Sequence, residues 1–590
     1  MRGLSNQSLI FFSLLVSSCF LPLTTEAQTG VITGRVVTED GTELPGVWVS
    51  LIPVTTDRRK STSGSQGTAT DEEGNFKFTG LAPRVYSVSV WSANGYMSVK
   101  GYVPRPIPAN ERQDGGYHRV GDNVTITMIK GGVITGRVTN AAGAPLIDVL
   151  VNATMVRDAE GNPALRAAAR LRFTDDRGYY RIYGLSPGTY IVYASNAFLT
   201  LPTPYDGKAP TYHPSSTRDT AAEVTVTSGG EASGVDIRFR GDPGHAVSGS
   251  VSGSGESSSS YARQIIALTS AVNGAVQSDA HFIHIDKGDA KFAIFGVADG
   301  EYEITARWVL DSEEVVLAST PRRVVVKGAD VGGIELKLLP MGSIAGKFAI
   351  EATPGVCESK RKWSLEEALL ALRYESKPGE APPARSHTVV NGVNEKGEFT
   401  VYNLKANRYF LEPRLPNETW YVKSITSPAL TSAPTNAGGA AERAAASNAA
   451  RNGITLKAGE KISGITVSVA DGAALVSGKV IPATEGLRLP AGLRIHLVPA
   501  EAIAANDVLR YAEVFARANG SFLLSNLAPG KYWLIVRAAP DDEMSDSPPA
   551  PIAWDANEWA KLHHEAMAAK NEIELQPCGR IKDYVLRFNR

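Results

Sequence analysis

One phrase recurs five times and constrains the fold of this chain more than any other feature. LAPRVY ends at Tyr86, LSPGTY at Tyr190, VADGEY at Tyr302, LKANRY at Tyr409 and LAPGKY at Tyr532. Before each phrase stands an aromatic with an apolar residue two places later: Phe76 and Phe78, Tyr180 and Ile182, Phe292 and Ile294, Phe399 and Val401, Phe522 and Leu524. A spacing of two puts both side chains on one face of a strand. The chain therefore reads as five copies of one β module. At 590 residues it is too long for a single core and suits several domains.

Each copy opens on a strand with a central glycine: VITGRV at Gly34 and again at Gly136, AVSGSV at Gly249, SIAGKF at Gly346 and LVSGKV at Gly478. These glycines stand 97 to 132 residues apart, the size of a small β-sandwich and far above a solenoid period. A second strand follows, as in VWVSLIPV or LRIHLVP. In the fourth copy, SLEEALLALRYE has helical propensity, but the repeat makes ALLALRYE a strand, and register overrules propensity. Alternating segments close the copies at VTITMI, VDIRFR, IELKLL, ITVSVA and IELQP. The expected division is a leader over 1–27 and sandwiches over 28–131, 132–243, 244–340, 341–471 with an Ala-rich insertion, and 472–590 with a C-terminal helix and tail. The short junctions predict a curved, semi-rigid rod. In the phrase Leu-x-Pro-Gly-x-Tyr, Pro followed by Gly predicts a type II turn with positive φ at the glycine.

GxITGRV followed by D-x-x-G-x-F/Y-x-x-x-x-L-x-P-G-x-Y resembles the carboxypeptidase regulatory-like domain, a transthyretin-like sandwich of seven strands. Module three departs from that pattern at Ala290 and Asp299. The resemblance implies an all-β, Ig-like tandem array, to which the nonrepeating WDANEWAKLHHEAMAAK adds one short C-terminal helix. It also implies noncatalytic modules of the kind found beside secreted peptidases, in outer-membrane transporter proteins and on cell surfaces, with glycan binding among related sandwiches. It brings no catalytic residue with it. Tyr86, Tyr190, Tyr302, Tyr409 and Tyr532 are then structural, each hydroxyl bonding back to the preceding corner as in the tyrosine corner of sandwich domains.

The first 27 residues read as an export signal, with Arg2, an apolar run from Leu9 to Leu23 and the small-x-small site Thr25-Glu26-Ala27. A second reading takes VSSC as a lipobox, making Cys19 a lipidated N-terminus. Either places the chain in the periplasm, at the cell surface or outside the cell. No later stretch is apolar enough to span a membrane. Cys357 and Cys578 are open to two readings, a bridge clamping module four to the C-terminal tail or two separate thiols. With 60 basic and 61 acidic residues and a formal charge of -1, no global field draws the chain to nucleic acid.

No residues suggest catalysis or a cofactor. The histidines lack zinc-peptidase spacing, His281 and His284 fall on opposite faces of a strand, and His563-His564-Glu565 reads as a solvated helix face. Asp71-Glu72-Glu73-Gly74 and Asp175-Asp176-Arg177-Gly178 lack the alternating oxygens of a calcium loop and read as hairpin turns. No nucleophile elbow or phosphate loop is present. Binding surfaces are expected among aromatics outside the repeat: Trp91, Tyr96, Tyr205, Tyr212, Trp420 and Tyr421, each with packing as the competing role. Trp559, Leu562 and Met567 are expected to seat the C-terminal helix on the last sandwich. The sequence therefore suggests an exported, noncatalytic array acting as a surface binding or spacer module, with glycan as one ligand class. The alternative is an accessory subunit docking on an envelope transporter or secreted enzyme through the helix and tail.

Overall fold

In the computed structural model the described residues run from 30 to 588, except 56–63, 91, 94, 99–116, 160, 162, 168–171, 196–206, 254–262, 271–280, 286–290, 310–314, 352–356, 358–362, 375–387, 429–447, 485–488, 491, 502–503, 518 and 539–555. Within them the chain forms ten sheets, two to each copy of the repeat. One sheet of each pair holds the opening strand between the aromatic strand and the closing strand. The other holds the second strand beside the tyrosine strand, with two further strands in modules one, four and five and four in modules two and three. A common frame of seven strands results, and an apolar core fills each sandwich.

The opening glycine and the hairpin aromatic are cross-strand partners in every copy: Gly34 with Phe76, Gly136 with Tyr180, Gly249 with Phe292, Gly346 with Phe399 and Gly478 with Phe522. In four copies the aromatic side chain packs over the space a side chain on the glycine would fill, and at Gly249 the Ile334 backbone fills it. A Cβ on Gly346 would stand 2.7 Å from Phe399 Cζ, and one on Gly478 would stand 2.9 Å from Phe522 Cζ. From the other side the parallel closing strand brings a backbone carbonyl into the same space, that of Val124, Val235, Ile334, Ile465 or Tyr584. Glycine is required here by this close approach.

The tyrosines act as the repeat implied. Each hydroxyl donates to the carbonyl four residues earlier: Tyr86 to Ala82 at 3.0 Å, Tyr190 to Ser186 at 2.7 Å, Tyr302 to Ala298 at 3.0 Å, Tyr409 to Lys405 at 2.8 Å and Tyr532 to Ala528 at 2.7 Å. The turn before them differs from expectation. Gly188, Gly300 and Gly530 have φ of 153°, 158° and 145°, well away from the value near 80° of a type II turn, and Arg84 and Asn407 keep negative φ. The three glycines thus keep a positive φ that favours glycine, while Arg84, as its side chain requires, and Asn407 take the position with a different backbone, so the turn is not the same in all copies. Left-handed residues occur instead just before the last apolar residue of the hairpin, at Gly80, Gly184, Gly296, Asn403 and Asn526. Gly and Asn are the residues that adopt this conformation most readily.

In the fourth copy the expected strand is present, and two other expectations change. SLEE forms a short 3₁₀ turn capped by Ser364, and Leu369–Tyr374 is the strand the repeat required. IELQP does not close module five: Glu572–Leu575 pairs with the tyrosine strand, and the tail strand Arg580–Phe588 lies parallel to the opening strand, where the other copies place their closing strand. The C-terminal helix Ala556–Ala569 is inserted ahead of both. The modules also do not line up as a simple rod, because module one meets module four. Arg84 pairs with Glu366 at 3.2 Å, and Arg119 Nε donates to the Glu367 carbonyl at 3.0 Å. Among the described residues, no helix is long and apolar enough to cross a membrane.

Tyr532 is fully buried, so removing its hydroxyl leaves the Ala528 carbonyl without this donor. Tyr532→Phe is expected to destabilise the protein by about 1 to 2 kcal/mol in denaturant unfolding. An unchanged midpoint would show that the corner bond contributes nothing.

Candidate functional site

The aromatics singled out as binding candidates do not come together. Tyr212 is 4 % exposed and packs against Tyr193 with ring centroids 5.0 Å apart, which assigns it to packing. Tyr96 is half-buried against the core of module one, and Trp420 packs against the core of module four beside the half-buried Tyr421. Trp91 and Tyr205 lie outside the described residues. Asp71 and Asp175 are turn residues: Asp71 accepts the Asn75 amide at 2.6 Å, and Asp175 accepts those of Arg177 and Tyr179 at 3.0 and 2.7 Å. The described residues hold no group of three or more His, Cys, Asp or Glu side chains placed to share a metal ion.

A concave feature with convergent polar groups lies where modules four and five meet the C-terminal helix. Helical spacing turns Trp559, Leu562 and Ala566 inward, all buried, and leaves Met567 49 % exposed. Ala566 thus takes the inner position expected of Met567. Leu562 and Ala566 pack on Val498 and Ile535 of module five, while Trp559 joins the core of module four together with Val508 of module five. The helix therefore ties the two sandwiches together. Tyr511 stacks on Trp559 with centroids 5.1 Å apart and planes 13° from parallel. Asn448 accepts the Arg451 amide and starts a single helical turn that sets Arg451 on the facing wall.

The resulting cleft encloses about 390 Å³ and is lined by Arg451, Asn506, Tyr511, Trp559, His563 and His564, with Met567 at its side. His563 is not a solvated helix residue. Its ring makes a T-shaped pair with Trp533 at 5.1 Å, and its Nε2 is shielded from solvent with no hydrogen-bond partner. Sequence reasoning missed this site because its walls come from three separated segments, none bearing a motif.

Two other contacts hold the same seam. Asn526 uses its left-handed position to donate from Nδ2 to the carbonyls of Asn417 and Trp420, both at 2.7 Å. Cys357 of module four and Cys578 of module five form a disulfide with Cα atoms 5.6 Å apart.

Beneath the helix, Arg494, His496 and Val498 occupy the face of their strand opposite Ile495 and Leu497, which belong to the module-five core. Burial, reinforced by Arg494 and Arg537, pushes the His496 imidazole down to about 3. Glu513 lies within 3.7 Å of Arg494 and 3.5 Å of His496, and Arg537 is paired with Glu565 on the helix.

Residues 31–114 match the family model described as the carboxypeptidase regulatory-like domain. Over these residues the first module is similar to the carboxypeptidase regulatory-like domain. The other four modules repeat its strand order. No protein of curated function matches the chain. Solved structures similar to it include GBS52, a minor pilin of Streptococcus agalactiae, at 13 % identity, covering 39 % of this chain and 99 % of that one with a TM-score of 0.21. The shaft pilin SpaA of Lactobacillus rhamnosus GG aligns at 12 % identity over 36 % of this chain and 97 % of its own, with a TM-score of 0.17. The Bacillus anthracis TIE protein aligns at 10 % identity over 96 % of this chain and 76 % of its own, with a TM-score of 0.15. At such scores the likeness carries nothing about function.

His496 stays neutral in the fold but takes a proton near pH 6.5 when unfolded. Between pH 6.5 and about 3 the unfolded state binds the extra proton, so stability falls as pH falls through that window, by about 1.4 kcal/mol per pH unit, and is unaffected by this group above it. The melting temperature of the wild type should drop more steeply from pH 7 to pH 5 than that of His496→Gln. Parallel curves would contradict the buried neutral imidazole.

Proposed function

We propose that this chain is an exported, noncatalytic scaffold that holds five β-sandwiches in a defined arrangement and presents their outer surfaces to a ligand or partner. The observation that carries this reading is the Cys357–Cys578 bridge. It joins two modules at a separation of 221 residues, and such bonds form and persist in oxidising compartments outside the cytoplasm. The leader over 1–27 agrees with that location. The noncatalytic part is supported by the repeat itself, since the residues that recur are occupied in packing or in corner bonds.

The structure favours a scaffold over an extended spacer, because the ion pair between Arg84 and Glu366 returns module one to module four. The accessory-subunit alternative loses its motivating elements: the helix is seated on modules four and five, and the tail strand completes module five. Glycan binding keeps Trp420 and Tyr421 as half-buried candidates.

Mass spectrometry of the protein from its native envelope fraction, with free thiols alkylated before denaturation, tests the proposal. The expected product begins at Gln28, or at a lipidated Cys19, with Cys357 and Cys578 unalkylated. A chain retaining its first 27 residues with both cysteines alkylated would overturn export. Reproducible hydrolytic turnover by the purified protein would overturn the noncatalytic role.

A further inference from the structure

We propose that the cleft between modules four and five and the C-terminal helix binds a small ligand carrying a carboxylate on a six-membered ring. Its volume of about 390 Å³ lies within the usual range for small-molecule sites, which combine an apolar wall with a few convergent polar groups. Tyr511, Trp559 and Met567 supply the apolar wall, while Arg451, Asn506 and His564 supply the polar groups.

The charge of the lining selects the ligand. Among the described residues the cleft is lined by a permanent cation, Arg451, and two imidazoles, and by no carboxylate. A guanidinium that meets an anion in a partly enclosed space can bond it through two parallel N–H groups, which favours a planar carboxylate over a neutral hydroxyl. His563 is held in the wall by its T-shaped contact with Trp533, and since its Nε2 is shielded the polar contacts to a ligand fall to Arg451, Asn506 and His564.

The shape of the wall selects the body. Trp559 is 9 % exposed with one face covered by Tyr511, so the cleft presents aromatic edge and thioether rather than an open stacking platform. A single compact ring fits such a wall better than a long planar one. Uronic acid units of acidic glycans and simple aromatic acids share this chemistry, and both are tested. The proposal does not depend on export, and its failure would leave the scaffold reading intact.

Isothermal titration of the full oxidised chain with glucuronate, galacturonate and benzoate, against glucose and benzyl alcohol as neutral counterparts, tests it. At least one acid is expected to bind saturably and at least about tenfold more tightly than its neutral counterpart, the size of a charge-assisted hydrogen bond. Binding of a uronate alone would identify the glycan source, and binding of benzoate alone the aromatic source. Arg451→Gln should abolish the preference for the acid, and His564→Gln should weaken binding, with the melting temperature unchanged in both because neither residue is part of a core. No saturable binding of any acid up to about 10 mM, or equal affinity for acid and neutral forms, would overturn the proposal.

Discussion

The structure depends on one arrangement repeated five times, a glycine of the opening strand set between a backbone carbonyl of the closing segment and a cross-strand aromatic, whose side chain overlies the glycine in four of the copies. The opening strand lies between an antiparallel and a parallel partner, and the glycine is where both come closest. Any side chain there would have to displace a backbone carbonyl and, in four copies, an aromatic side chain as well. In an antiparallel pair a slip of one residue would turn the apolar face of the strand outward, so the same contact that excludes a side chain also pins the register. The tyrosine corner acts on the opposite sheet, tying its strand to the turn that leads into it. With one constraint on each sheet, every copy closes its own core, and sequence between the copies is free to vary in loops and insertions.

Variation is where the modules acquire a relation to one another. Arg84 replaces the usual glycine in the first turn, and its side chain reaches Glu366 of module four. Asn526 replaces the glycine at the left-handed hairpin position of module five, and its amide holds two carbonyls of module four. In both places a residue that departs from the repeat makes a contact between modules. The C-terminal helix does the same on a larger scale, since Trp559 contributes to the core of module four from a chain segment that belongs to module five. The cleft at that seam follows from joining two convex sandwiches with a helix that cannot fill the space between them.

The sequence showed the module clearly because the residues it repeats serve local requirements: an alternating strand, an aromatic at fixed spacing, a corner tyrosine. It gave the strand identity of Leu369–Tyr374 against propensity, since register within a repeat carries more information than composition. It failed where two segments satisfied the same pattern. Both IELQP and the tail from Arg580 alternate, and only the parallel pairing with the opening strand decides which closes the sheet. The type II turn was inferred from Pro-Gly, whereas the corner glycines take φ between 145° and 158° and two copies turn there without a positive φ. The contact of module one with module four and the role of His563 were not legible, because each rests on surfaces brought together from distant parts of the chain.

Hydrogen exchange followed by peptide mass spectrometry on Gly478→Ala tests the central contact most directly, because it reports each module separately within the intact chain. The account predicts that protection collapses across the module-five strands from Ala474 to Phe588, while modules one to three keep theirs. Wild-type protection throughout module five would mean that the space beside Phe522 and the Tyr584 carbonyl accommodates a side chain, and the glycine would then not be what sets the fold.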